Sequence, residues 1–240
     1  MVYHTTISQN YLGPSNTLIM KAISRPATLK EQALTQLRDS IMLGQFVPGQ
    51  RLVERVLGEQ LQVSRTVIRE CIRHLESERL VTIVANSGPI VTQLSDAQTR
   101  EIYQLRAILE SAAVEQCARK IRVRDGHKLL DIVDRIEAKL AGQQVIKALE
   151  LTTQLYRRIF LIGGLTITWD LIEELNSRIN QLRIRSLGSA ERRRTGPQSL
   201  RKMVAAIAAN LPDEAAQACK AHVQQAMQSG LAETDKLNTE

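Results

Sequence analysis

Three arginines, Arg65, Arg69 and Arg73, recur every four residues between Ser64 and Glu78, which puts them on one side of a helix. A guanidinium stays charged, presents a planar fork of donors, and binds either phosphate oxygens or the O6 and N7 edge of guanine. On the other side Ile68, Ile72 and Leu75 fall at steps of four and three, an apolar face that can pack. Ser64 is placed to cap this helix, because its hydroxyl can accept from the free N–H groups of the first turn. Arginines at this spacing also make an ordinary solvated face, paired with carboxylates such as Glu70, Glu76 and Glu78. The spacing alone leaves DNA contact and a plain surface both open.

The elements around this helix favour DNA. A Pro48-Gly49 turn leads into a first short helical pattern from about Val53 to Leu61. After the arginine helix come an alternating Val81-Thr82-Ile83-Val84, a turn at Asn86-Ser87-Gly88-Pro89, and Ile90-Val91. Two helices, a tight connection and a hairpin in that order read as a winged helix-turn-helix, with the hairpin as its wing and double-stranded DNA as its partner. Another helix opens at Thr28, with Glu31 three residues on to complete a capping box. It places Leu29, Ala33, Leu37 and Ile41 on one face and ends at Gly44. Residues 1–27 show no sustained period and read as a flexible arm.

These residues resemble the DNA-binding head of the GntR family of bacterial transcription regulators. The matching positions are Pro48, Gly49, Leu52, Glu54, Ser64, Arg65, Thr66, Ile68, Arg69, Glu70, Leu80 and Val81, within a head spanning 28–92. The resemblance implies that Arg55, Ser64, Arg65, Thr66 and Arg69 touch DNA. Two positions depart from the family pattern. Arg79 stands where a glycine usually precedes the leucine-valine pair, and Ala85 stands where a histidine sometimes lies near the wing tip. Asn86, Ser87 and Gly88 are then the residues left to make the wing contact.

Residues 95–230 read as helical. Ser95 caps a long helix through Ile102, Leu105, Leu109, Ala112 and Val114 to about Lys120. Breaks at Val123-Arg124-Asp125, Ala141-Gly142-Gln143, Gly163-Gly164, Gly188-Ser189 and Asn210-Leu211-Pro212 divide the domain into about six helices. Loops this short make antiparallel neighbours, hence an antiparallel all-α bundle, with residues 231–240 as a disordered tail. The fold class is mostly α, in keeping with an aromatic content of only 3%.

A helical domain behind this head resembles the FadR subfamily of GntR regulators, whose C-terminal FCD domain binds small acids and joins the dimer. The matching features are Leu105-Arg106-x-x-Leu109-Glu110, Asp213-x-Ala215-Ala216 and His222. The resemblance implies a homodimer and a small organic acid effector. Many members of the subfamily hold a divalent metal, and the matching positions here are Thr153, Arg157, Leu200 and His222. One imidazole cannot hold a metal that usually needs three or more protein ligands, so no metal and no cofactor are expected. Arg157 could instead bind a carboxylate directly, and Arg106 matches an arginine that points into the subfamily's pocket. The effector candidates are therefore Arg106, Thr153, Arg157 and His222. Each arginine also has a local alternative: Arg106 can pair with Glu110 one turn on, and Arg157 lies beside Arg158, only one of which can face inward.

Most of the net charge of +7 lies outside the head. Residues 28–92 carry eight Lys and Arg against seven Asp and Glu, whereas 178–202 carry eight basic residues against the single Glu191. That basic stretch, with Arg192-Arg193-Arg194 beside Gly188, Thr195, Gly196 and Pro197, reads as a mobile, solvated interhelical region, or as a non-specific phosphate contact. Cys71, Cys117 and Cys219 lie far apart on helical patterns and read as buried small hydrophobes. No run of about 18 apolar residues and no secretory start is present, so a soluble, cytoplasmic chain without membrane contact is expected. An enzyme is disfavoured, with only His4, His74, His127 and His222 available, no glycine-rich phosphate loop and no paired carboxylates that can be brought together. The reading is a sequence-specific DNA-binding regulator, a repressor whose operator affinity follows a carboxylate-bearing metabolite. The alternative is a helical protein-interaction scaffold without specific DNA readout.

Overall fold

The computed structural model describes the backbone of residues 27–187 and 190–237 and the side chains as far as residue 232. The arm expected at the N-terminus, except its last residue, and the break expected at Gly188-Ser189 lie outside the described residues.

In the head, α1 (Leu29–Met42) begins on the complete capping box. Thr28 Oγ1 accepts from the Glu31 N–H at 3.2 Å, and the Glu31 carboxylate accepts from the Thr28 N–H at 2.7 Å. Ala33, Leu37 and Ile41 are buried, while Leu29, in the first turn, is exposed. α2 (Glu54–Leu61) and α3 (Arg65–Ser77) are joined through Gln62, whose φ of 53° makes the tight connection. Ser64 caps α3, its Oγ accepting from the Val67 N–H at 3.3 Å. β1 (Val81–Val84) and β2 (Gly88–Val91) pair antiparallel, with Val81 opposite Val91 and Val84 opposite Gly88. Leu37, Leu52, Leu57, Ile68, Cys71, Leu75 and Leu80 form the core that fixes this arrangement.

The bundle contains α4 (Asp96–Lys120), α5 (Val123–Ala141), α6 (Val145–Gly163), α7 (Thr166–Glu174), α8 (Asn176–Leu187), α9 (Ala190–Ala208) and α10 (Pro212–Leu237). There are thus seven helices among the described residues of this domain rather than about six. The extra boundary falls at Leu175, between α7 and α8, where no glycine or proline marks it. α10 continues to Leu237, past the point at 230 where the sequence reading ended the bundle.

α4 forms as expected, capped by Ser95 and ending at Lys120. It turns Ile102, Tyr103, Arg106, Glu110, Ala113, Val114 and Cys117 inward, while Leu105 and Ala112 face outward, so its buried stripe includes a charged pair. One local expectation is overturned: Arg192-Arg193-Arg194 is not a mobile interhelical region, since it forms the first turns of α9, with Pro197 inside the helix and Arg192 buried. Tertiary partners of Arg192 outweigh the local breaker signal. The three cysteines are buried and free, and burial pushes the Cys117 thiol up to about 12.

The head rests on α6 and α8. Leu149 of α6 belongs to the head's buried core, and Val145, Ile146 and Ile184 pack against it. No helix among the described residues is long and apolar enough to cross a membrane.

Candidate DNA-binding face and effector cavity

The first turns of α3 present Ser64, Arg65, Thr66 and Arg69 to solvent together, as helical spacing requires. Arg69 Nε donates to the Glu54 carboxylate at 2.9 Å, which ties the start of α2 to α3. Arg55 pairs with Glu59 one turn along α2, at 2.9 Å. Arg65 forms no ion pair among the described residues, because the nearby acids are used elsewhere. Glu70 holds Lys30, and Glu78 holds Arg38 and His74. Of the three arginines at four-residue spacing, Arg69 is thus locally paired, with Glu54 rather than Glu70, Glu76 or Glu78, and Arg65 is presented outward.

At the wing tip Asn86 and Ser87 are exposed and Gly88 is half-buried, with Asn86 and Gly88 at φ of 64° and 77°. Arg51, absent from the sequence reading, bridges to Ile90, and a Cβ built on Gly88 would lie 3.9 Å from its guanidinium. It adds a cation beside Gly88, near the wing tip. Arg79 has φ 61°, a left-handed conformation that explains why a glycine suits this position.

In the bundle a narrow cavity of about 60 Å³ is walled by apolar residues including Ile136, Leu140, Leu149 and Leu200, and by Arg106, Arg183, Arg192, Ser186 and His222. Arg106 is buried with Glu110, its Nε donating to that carboxylate at 2.8 Å, and Arg183 lies 3.9 Å from the same group. Their guanidinium groups stack on Tyr103 and Tyr156, at 5.3 Å and 5.1 Å from the ring centres. Arg192 Nη2 lies 3.3 Å from His222 Nδ1 and donates to the His222 carbonyl at 3.3 Å. Ser199 Oγ lies 2.7 Å from the same Nδ1.

Electrostatics follow from this crowding. Burial, and then Arg192, Arg106 and Arg183, hold the His222 pKa well below 6.5, so the ring is neutral at physiological pH. Burial, followed by repulsion from Arg106, lowers Arg183 to about 10. Burial opposes the charge on Arg106 as well, but Glu110 outweighs it and the pKa is raised. Arg106 Nη1 and Ser186 Oγ are buried without a hydrogen-bond partner. Donors left idle in an apolar wall beside surplus positive charge suit an anion.

Of the sequence's effector candidates, Arg106 and His222 meet at this cavity. Thr153 lies elsewhere on α6, half-buried, its Oγ1 donating to Asn176 Oδ1 at 3.3 Å. Arg157 and Arg158 are both exposed on α6, so Arg157 takes no part in the cavity wall. The cation beside His222 is Arg192, which the sequence reading assigned to a solvated stretch. Arg183 was also missed, although Ile179, Leu182 and Ser186 mark the buried side of α8 next to it. A divalent metal does not fit here. The four positions matching the subfamily's metal site offer one imidazole, and three guanidinium groups surround it. Among the described residues no cluster of three His, Cys, Asp or Glu can hold a metal.

A winged helix-turn-helix seated on a helical bundle, with a largely apolar cavity that arginines and His222 also line, defines a DNA-binding regulator with a ligand-binding domain. The model for bacterial regulatory proteins of the gntR family matches residues 29–91, and that for the FCD domain matches residues 101–225. This chain belongs to the GntR family, in its FadR-like branch with an FCD domain. These are the domains of transcriptional regulators, not of enzymes, and the scaffold alternative gives way to them. The chain is 28% identical over 179 residues to the Nta operon transcriptional regulator of Aminobacter aminovorans, covering 75% of this chain and 83% of that one. It is 32% identical over 112 residues to the gluconate operon transcriptional repressor of Bacillus licheniformis, covering 47% of this chain and 43% of that one. The solved structure of E. coli McbR/YncC shares the fold, with a TM-score of 0.63 at 22% identity over 86% of this chain and 97% of that one.

Proposed function

We propose that the protein is a cytoplasmic homodimeric repressor whose affinity for a two-fold operator is set by a small carboxylate-bearing acid in the bundle cavity. The observation that carries this reading is the placement of α8. Arg183, Ser186 and Leu187 face the cavity, while Gln181, Ile184 and Arg185 line the groove against the head, beside Ile41 and Phe46. An acid drawn to Arg106 and Arg183 moves the same helix on which the head rests. Release of DNA requires only that the acid favour one head arrangement over the other, with coupling of about 1–3 kcal/mol in typical cases.

In the DNA complex α3 enters the major groove, with Ser64, Arg65, Thr66 and Arg69 at base edges and phosphates, Arg55 on the backbone, and Asn86, Ser87 and Gly88 at the wing contact. Leu105, Ile108 and Ala112 form an exposed face on α4 that suits a second copy of the chain, as a two-fold operator requires. The repressor role draws on the name of the Bacillus licheniformis relative.

The test is selection of bound fragments from a random DNA library, followed by titration of the winner at two salt concentrations. An inverted repeat is expected. Arg65→Ala should cost about 1–3 kcal/mol and relax base choice, while Arg55→Ala should weaken all sequences alike. Failure to enrich any sequence, or binding indifferent to Arg65, would overturn the proposal.

A further inference from the structure

From Val81 to Val91 the wing hairpin holds no charged residue, and Ala85 stands where a histidine sometimes lies in this family. A wing that approaches DNA meets phosphate on both sides of the groove, and neutralising phosphate supplies much of DNA affinity. The cation placed to do this is Arg51. Residues 49–52 run beside β2 as an added edge of the wing sheet. The Gly49 N–H donates to the Val91 carbonyl at 2.9 Å, the Val91 N–H to the Gln50 carbonyl at 2.9 Å, and the Leu52 N–H to the Pro89 carbonyl at 2.8 Å. Successive residues of an extended chain face opposite sides, so Leu52 anchors in the head's core and Arg51 faces solvent. Arg51 bridges to Ile90, and its side chain runs along the sheet toward the tip, where a Cβ built on Gly88 would lie 3.9 Å from Nη2 and 4.0 Å from Nε. Arg79 lies two residues before β1, at the end of the hairpin away from the turn.

The carboxylates near Arg51 in sequence are engaged by other cations. Glu54 takes Arg69 and Glu59 takes Arg55. Among the described residues Arg51 forms no ion pair, so its charge is available to a partner. Its place is fixed by backbone bonds on β2 and by the buried Leu52, and only the side chain has to be ordered on binding. A guanidinium on such a mount suits phosphate, whose oxygens its planar fork can take in pairs.

We infer that Arg51 is a DNA-contacting residue of the wing, its guanidinium binding a backbone phosphate at the edge of the groove that the wing tip enters. Asn86 and Ser87 then bring polar side chains to the wing contact, and Arg51 brings the charge. Such a contact sets the position of the wing without reading sequence. The inference rests on the DNA-binding reading above.

The full chain is titrated by fluorescence anisotropy with a duplex carrying the selected operator and with a scrambled duplex, across a series of salt concentrations. Arg51→Gln should weaken both duplexes alike, on the order of tenfold at about 50 mM salt, and the slope of log affinity against log salt should fall by about 0.9 for each head engaged. Arg51→Lys, which keeps the charge, should retain most of the affinity and the slope. Neutral methylphosphonate linkages placed one at a time through the operator locate the phosphate. One linkage in each half-site should weaken the wild type and make no difference to Arg51→Gln. If Arg51→Gln equals the wild type in affinity and slope on both duplexes, the inference fails while DNA binding through α3 stands. It fails equally if the loss is confined to operators with A·T-rich flanks, which would put the guanidinium on base edges in the minor groove. A wild type that binds neither duplex with salt dependence would overturn both readings.

Discussion

Arg106 and Glu110 sit one turn apart on α4 with both side chains 1% exposed, and the bundle closes around them. Removing one partner of a buried pair leaves an uncompensated charge, at a typical cost of about 3–5 kcal/mol, whereas replacing both by apolar groups of similar size is far milder. Glu110→Gln should therefore lower the urea midpoint sharply, and Arg106→Met combined with Glu110→Met should recover only part of the loss, because Arg183, 3.9 Å from Glu110, still loses its counter-charge. His222 gives a second expectation. Its folded pKa is held well below 6.5, so below that pH the unfolded chain takes up a proton that the fold refuses. Stability is fully present above about pH 7 and falls as pH drops below 6.5, by up to about 1.4 kcal/mol per unit. Urea unfolding from pH 5 to 8 should show this slope in the wild type and lose it in His222→Gln. A steeper slope in the variant would contradict the burial described here. The Arg106–Glu110 pairing is legible in the sequence as one helical turn, but its burial is not, and neither is the setting of His222, whose neighbour Arg192 lies 30 positions away.

At the scale of elements, the head follows from local rules. Thr28 and Ser64 cap their helices through their own hydroxyls, and the hairpin has its turn where asparagine and glycine allow positive φ. Arg79 is the exception, since a left-handed conformation costs a side chain about 1–2 kcal/mol. Glycine removes that cost, while its freedom in the unfolded chain returns about 0.4–1 kcal/mol. Arg79→Gly is thus expected to stabilise the protein by about 0.5–1 kcal/mol, read as a higher melting temperature by circular dichroism. A lower one would show that the arginine makes contacts worth more than its strain. The bundle follows local rules less well. The bend at Leu175 carries no breaker, and α9 runs through a glycine and a proline that ordinarily end helices. Both outcomes depend on what the helices pack against.

Across the whole molecule, one helix has one side in the cavity and another against the head. Ile184 packs on the head's core, whereas its neighbour Arg183 lines the cavity. Ile184→Ala leaves the cavity residues in place and loosens only the contact with the head. Effector affinity measured by calorimetry should stay within about threefold of wild type, while the ratio of operator affinities with and without effector should shrink from the 5–150-fold typical of such coupling. An unchanged ratio would show that the signal passes through α6 and Leu149 instead, or through the dimer.

The amino-acid order by itself determines the winged head, because caps, turn residues and an apolar stripe of strict helical period act within a few residues of one another. It also determines that Arg65 and Arg69 share a face with Ser64 and Thr66, since helical geometry alone imposes this. Only the tertiary structure decides that Arg106, Arg183, Arg192 and His222 meet in one cavity, and that Arg157 does not. The reason is physical. A buried charge is tolerated only where distant helices bring a counter-charge, a hydroxyl or an aromatic face to it, and no short-range pattern records which helices will do so.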